Sequence, residues 1–138
     1  MFGKYGLFDL TLGNNGGKLY GGEETQFLSR LLEGGEHVYY IPEILVHHYI
    51  PASRTKKAYF RKWFYDKGEL TARQLGTYPY RNLMGIPFYI FVSTAKEFLR
   101  YMGKQAIFAS TAFRKQLLVI YYMGLMCGRL KYRNAHTS

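Results

Sequence analysis

The chain has 138 residues, a formal net charge of +10 and 48% hydrophobic residues, an apolar content that excludes wholesale disorder. Its single cysteine, Cys127, excludes an intrachain disulfide framework and fits a reducing compartment. The charge is uneven, because residues 1–50 carry a net −3 and residues 51–138 a net +13. The basic part predicts an anionic partner, such as nucleic acid, a phosphorylated substrate or anionic lipid.

The first long helix is predicted over residues 23–33. Gly21 and Gly22 precede it and permit a tight, sterically open turn. Glu23 and Glu24 fall in the first turn, where the partial positive charge of a helix N-terminus favours carboxylates. On these residues alone, the ordinary preference for acidic residues at a helix N-terminus explains the two acids. A catalytic pair is the alternative. The apolar residues have the spacing of a buried helical face: Phe27, Leu28, Leu31 and Leu32.

Two short β-prone runs follow, over residues 37–41 and 44–50, with Pro42 between them. A helix, a strand, a break and a second strand together predict an α/β arrangement. His48 lies in the second run and is a candidate metal ligand. A strand histidine with an ordinary hydrogen bond is the alternative.

A basic helix is predicted from about Lys56 to Lys67, ending near Gly68, with a shorter piece over residues 70–75. Its cations surround an aromatic stripe. A solvated face and an anion-binding face are therefore both open as interpretations.

Two further helices are predicted over residues 88–108 and 111–131. Each has apolar residues with basic residues nearby. This pattern fits either packing on a catalytic domain or lying on an anionic membrane surface. Gly124 and Gly128 have the Gly-x-x-x-Gly spacing that permits close contact between helices.

Several motifs follow one another in a fixed order, and that order resembles the acceptor-side half of family 2 glycosyltransferases, inverting enzymes with the GT-A fold. The resemblance covers roughly residues 3–69. It implies that residues 1–69 are the C-terminal part of an α/β GT-A catalytic domain, and that residues 70–138 are a basic extension of amphipathic helices. The motifs are Leu7-Phe8-Asp9, Gly22-Glu23-Glu24-Thr25, Leu31-Leu32, Gly35, Val38-Tyr39, Pro42, Val46, His48 and Arg54.

The resemblance also implies roles for single residues. Glu24 matches the family's catalytic base, and Glu23 is the neighbour that orients the acceptor or tunes the base. Gly21 and Gly22 would let the acceptor approach the backbone. His48 matches a histidine that contacts the metal or the diphosphate.

The implied ligands are a nucleotide-sugar donor, a saccharide or lipid-linked acceptor, and a divalent metal, Mg²⁺ or Mn²⁺. Arg54, Lys56 and Lys57 would lie near the phosphates of the donor. The implied location is cytoplasmic, with peripheral binding at the inner face of the plasma membrane as a further expectation.

The sequence departs from the family at three points. Glu24 stands where most members have Asp, and Gln26 stands where many have a second acid. The sequence contains no Asp-x-Asp, which belongs to the nucleotide-binding half that would precede residue 1. We therefore expect a C-terminal fragment that is inactive alone.

The alternative function is a basic, non-catalytic module that binds nucleic acid or an anionic membrane surface. The acidic first third disfavours nucleic acid, as does the lack of a recognisable nucleic-acid-binding motif.

Overall fold

A computed structural model describes residues 2–13, 16–75 and 81–132 of the protein. It is 61% helix and 3% strand, so the protein is mostly helical. The prediction of an α/β fold, a C-terminal fragment of a GT-A domain, is therefore wrong. Two compact units are present, residues 1–52 and residues 53–138. The boundary predicted between residues 69 and 70 falls inside a continuous helix.

The first unit contains helices α1 (Phe2–Tyr5) and α2 (Glu23–Glu33). The predicted helix over residues 23–33 is confirmed. Three aromatic rings join the two helices to the segment between them, with centroids 5.2 Å apart for Phe2 and Phe27 and 4.9 Å apart for Phe8 and Phe27. At the C-terminal end of α2, the Tyr5 hydroxyl donates to the Gly34 carbonyl at 3.2 Å. These contacts make α2 the centre of the first unit.

Residues 37–50, all of which the structure describes, form no strand, so both predicted strands are wrong. Every residue of this segment is exposed. A β-strand completes its backbone hydrogen bonds only with a neighbouring strand, and none of the described residues pairs with this segment. High β-propensity alone therefore does not produce a strand here.

The second unit contains helices α3 (Lys57–Gln74), α4 (Phe88–Ala106) and α5 (Ala112–Lys131). A short 3₁₀ helix, Ala52–Thr55, lies at the boundary of the two units. Strands β1 (Asn82–Leu83) and β2 (Ile86–Pro87) form an antiparallel hairpin before α4. The hairpin is held to α5 by Arg129, which donates to the Gly85 and Leu75 carbonyls at 3.0 and 2.8 Å.

Glycines allow α3 and α5 to pack with their backbones in contact. A Cβ on Gly68 would lie 2.1 Å from the Tyr121 carbonyl oxygen, and one on Gly124 would lie 2.1 Å from the Tyr65 carbonyl oxygen. Gly128 is also close to its neighbour, since a Cβ there would lie 2.6 Å from the Cβ of Ala72. The close helix contact predicted from Gly124 and Gly128 is confirmed. The predicted helix end at Gly68 is wrong, because this glycine serves the contact inside a continuous α3.

The apolar core of the second unit lies where these helices meet the hairpin. Its fully buried members are Ala72, Ile86, Ile90 and Leu125. In the described part of the chain, no helix is long and apolar enough to cross a lipid bilayer.

Candidate functional site

The two acids predicted as a catalytic pair lie at the start of α2. Gly21 and Gly22 both have left-handed backbone conformations, with φ of +65° and +93°. Glycine adopts these angles without the steric cost that a side chain would bring. The chain thus turns sharply into α2, whose first hydrogen bond runs from the Gln26 amide to the Gly22 carbonyl at 2.9 Å. This turn places Glu23 and Glu24 side by side in the first helical turn.

The two carboxylates differ in environment. Glu24 is exposed, whereas Glu23 is half-buried against Gly13. A Cβ on Gly13 would lie 3.1 Å from the Oε1 atom of Glu23. The other oxygen of Glu23, Oε2, is buried and has no hydrogen-bond partner among the described residues. Glu24 is therefore the acid that an approaching hydroxyl group can reach, and Glu23 is the more buried of the two.

Arg30, in the last turn of α2, contacts the segment that contains Leu7. Its two Nη atoms donate to the Tyr5 and Leu7 carbonyls at 2.7 and 2.6 Å, and its guanidinium lies 5.3 Å from the centre of the Phe27 ring. A planar guanidinium can make such a fork, which a lysine cannot. Asp9 accepts hydrogen bonds from the Thr11 amide and hydroxyl, so it shapes the turn that follows. Arg30 thus attaches the segment that contains Tyr5 and Leu7 to the last turn of α2.

His48, the predicted metal ligand, lies exposed in the segment over residues 37–50. The described residues bring together no three His, Cys, Asp or Glu side chains that could hold a metal ion. The predicted metal, and the role of His48 as its ligand, stay predictions.

The cations predicted to lie near the donor phosphates belong to the second unit. Arg54 is in the 3₁₀ helix, with its guanidinium 6.0 Å from the centre of the Tyr59 ring. Lys56 is the exposed N-cap of α3, and Lys57 is the first residue of that helix. The Nζ atom of Lys57 lies 5.4 Å from the centre of the Phe113 ring. The three cations thus cluster at the start of α3.

Lys57 also lines a pocket of about 360 Å³ where the start of α3 meets the end of α4 and the start of α5. Arg61 lines it too, and its Nε atom donates to the Oε1 of Gln116 at 3.1 Å. The Nε2 of Gln116 donates to the Tyr101 hydroxyl at 3.4 Å. Two cations and several neutral polar groups suit a phosphate-bearing ligand.

Sequence reasoning missed Arg61, Tyr101 and Gln116 as pocket residues. In the sequence, Arg61 is only one of several cations on a basic helix. Tyr101 and Gln116 lie 40 and 55 positions further along the chain, and only the packing of the three helices brings them together. Nothing in the local pattern marks such a meeting point.

The second unit turns all of its side-chain carboxylates inward. The sequence has three acids after residue 52, and they are 1%, 4% and 9% exposed: Asp66, Glu69 and Glu97. Each is paired with a cation, Asp66 with Lys62 at 2.7 Å and Glu69 with Lys131 at 3.0 Å. The outer surface of this unit is therefore positively charged.

Glu97 shows the effect of this pairing most clearly. Its carboxylate accepts hydrogen bonds from Lys115, at 2.9 Å, and from Arg100. The hydrogen bond from Lys115 is the main reason that the pKa of Glu97 lies below its ordinary value, with Arg100 acting in the same direction and burial opposing both. Glu97 therefore stays ionised beside its two cations.

Comparisons with known proteins place the chain in no family: no family model matches it, nor does any curated protein or solved structure that was compared with it.

Proposed function

We propose that this chain supplies the catalytic base of an inverting glycosyl transfer, and that Glu24 is that base. The observation that carries the proposal is the exposed carboxylate of Glu24 in the first turn of α2, directly after two left-handed glycines. The ordered motifs that resemble family 2 glycosyltransferases support it. The contacts of Arg30 and Phe8 attach the segment around Leu7 to the middle and the last turn of α2.

The proposed chemistry needs one proton acceptor. As the hydroxyl oxygen of a saccharide or lipid-linked acceptor attacks the anomeric carbon of the donor sugar, Glu24 takes the hydroxyl proton. The new bond joins this oxygen to the anomeric carbon. The bond between that carbon and the nucleoside diphosphate breaks, and its electron pair leaves with the diphosphate. Glu23, the half-buried neighbour close to Gly13, orients the acceptor or tunes the base in this proposal.

The departing diphosphate needs positive charge. We assign this task to the cations at the start of α3, namely Arg54, Lys56 and Lys57. The resemblance supports the assignment, since it places these three residues near the phosphates of the donor. The proposal assigns no step to a metal ion. The single cysteine supports a cytoplasmic site of action, where thiols stay reduced.

The proposal is tested by substitution of Glu24 in the natural host cell. Extracts are supplied with radiolabelled UDP-, GDP- and dTDP-sugars, and label is counted in the polysaccharide and lipid fractions. Glu24→Gln removes the base, so one labelled product should fall by about 100-fold or more. Glu24→Asp should retain much of that product, since Asp is also a base and is the common residue in the family that the chain resembles.

The matched control is Glu33→Gln, which makes the same chemical change at the other end of α2, at an exposed position. It should leave the labelled product unchanged. If Glu24→Gln extracts make every product at the wild-type level, the proposal fails.

A further outcome concerns the purified chain. The sequence contains no Asp-x-Asp motif for the binding of a donor, so the purified chain should release no nucleoside diphosphate from these donors. Turnover by the purified 138-residue chain would contradict that part of the proposal.

A further inference from the structure

Helix α4 turns apolar side chains away from the core of the second unit. Its inner side is marked by Ile90, which is fully buried, and by the buried Glu97. Residues on the opposite side lie about 180° away at about 100° per residue. Four large apolar side chains on that side, here called the outer face of α4, are 59%, 40%, 69% and 50% exposed: Phe88, Val92, Leu99 and Met102.

The outer face runs from Phe88 to Met102, about 21 Å along α4 at about 1.5 Å per residue. Met84, in the turn of the β1–β2 hairpin that precedes the helix, is a further exposed apolar residue, at 64%.

Positive charge accompanies this surface. Lys96 and Arg100 follow one edge of the outer face at helical spacing. The three carboxylates of the second unit are buried in ion pairs, so no exposed side chain of this unit carries negative charge. An apolar helix face with cations at its edge is the pattern of a helix that lies in a membrane interface.

We propose that the outer face of α4 binds the surface of an anionic lipid bilayer. Apolar side chains enter the boundary between headgroups and acyl chains, and Lys96, at the edge of the face, lies among the anionic headgroups. A second copy of the chain fits this face less well, because its own Lys96 would meet a like charge with no exposed carboxylate of this unit to neutralise it. Nucleic acid would leave the aliphatic side chains uncovered.

The test is flotation of the purified chain with vesicles of phosphatidylcholine alone and with vesicles in which anionic phosphatidylglycerol replaces part of the phosphatidylcholine. The wild-type chain should float with the anionic vesicles and much less with the neutral ones. The variant Leu99→Ser with Met102→Ser should bind at least about tenfold more weakly, because two apolar side chains no longer enter the interface. Lys96→Gln should weaken binding to anionic vesicles about fivefold.

The matched control is Leu28→Ser, which changes an exposed leucine of α2 in the first unit. It should bind like the wild type. Circular dichroism should show unchanged helix content in every variant, since all the substituted positions are at least partly exposed. Glu24→Gln should also bind normally, so failure of membrane binding and failure of the proposed catalysis are distinguishable.

Three results would overturn the proposal. The first is a wild-type chain that stays unbound with both kinds of vesicle. The second is equal binding by the wild type and the Leu99→Ser, Met102→Ser variant. The third is a dimer in sedimentation velocity that this variant converts to monomer, because the face would then belong to a second copy.

Discussion

The two units of this protein are stabilised in different ways. The second unit brings its helices into backbone contact through glycines and pairs every side-chain carboxylate with a cation inside the fold. In the described part of the first unit, α2 is the one helix of more than about a single turn, and aromatic rings and Arg30 attach the preceding segment to it. Residues 37–50 of this unit are wholly exposed.

The difference shows how helices and β-prone segments form their backbone hydrogen bonds in different ways. A helix forms its hydrogen bonds within itself, so α3, α4 and α5 need from one another only side-chain packing. A β-prone run depends on a second strand, and without one its apolar side chains stay in water, as with Tyr40 and Tyr49, which are 89% and 85% exposed. The candidate base lies in the unit with the smaller framework.

The largest expected effect is at the contact between α3 and α5. Gly124→Ala would place a Cβ 2.1 Å from the Tyr65 carbonyl oxygen, which is backbone and cannot rotate away. We expect the free energy of unfolding of the second unit to fall by about 3 kcal/mol or more. Urea denaturation followed by the fluorescence of Trp63, the sole tryptophan, measures it.

The control for this substitution is Gly103→Ala in α4, where a Cβ meets nothing within 4 Å. Alanine is the better helix former, so this change should raise stability by up to about 1 kcal/mol. Equal stability of the two variants would contradict the glycine contact.

A smaller effect is expected in the first unit from Arg30→Lys. Lysine keeps the charge but cannot donate to the Tyr5 and Leu7 carbonyls as a planar fork. The local stability of α2 should fall by about 1.5 kcal/mol, measured by hydrogen exchange of its amides. The Trp63 transition of the second unit should not move.

Arg114→Lys is the matched control for Arg30→Lys, since Arg114 lies on α5 in the other unit. It should leave the exchange of α2 unchanged. Faster exchange in both variants would show that the fork of Arg30 is not what holds the first unit together.

The smallest effect is a dependence of the second unit on pH. The pKa of Glu97 is lower in the folded chain than its ordinary value of 4.5. The stability from its ion pairs is therefore present above that value and is lost as the pH falls through the folded pKa. In Lys115→Gln the pKa of Glu97 should rise, because the main cause of its depression is gone, and the acid loss should begin at higher pH.

Urea denaturation between about pH 3 and pH 7 gives the free energy of unfolding for the wild type and this variant. The difference between them should be on the order of 1 kcal/mol at neutral pH and should shrink toward about pH 3. A difference that does not change with pH would contradict the role assigned to Glu97.

The sequence alone predicted the long helices well. Periodic apolar positions and flanking glycines placed α2 at residues 23–33, where it lies, and apolar periodicity placed α4 and α5 to within two residues at each end. These signals are local, because a helix is decided by residues three and four positions apart. The place of Glu23 and Glu24 in the first turn of α2 was predicted for the same reason.

The tertiary structure decided what depended on distant neighbours. Residues 37–50 have no strand partner among the residues that the structure describes, so the predicted α/β fold does not form. Strand pairing depends on two segments, and the sequence of one segment cannot show whether the other is present. The tertiary structure made Gly68 a contact instead of a helix end, since only α5 reveals why a Cβ is forbidden there. In the tertiary structure the carboxylates of the second unit are buried and the outer face of α4 is exposed. Sequence periodicity does not predict this, because a helical pattern shows only that a face is apolar, and packing decides whether that face is covered.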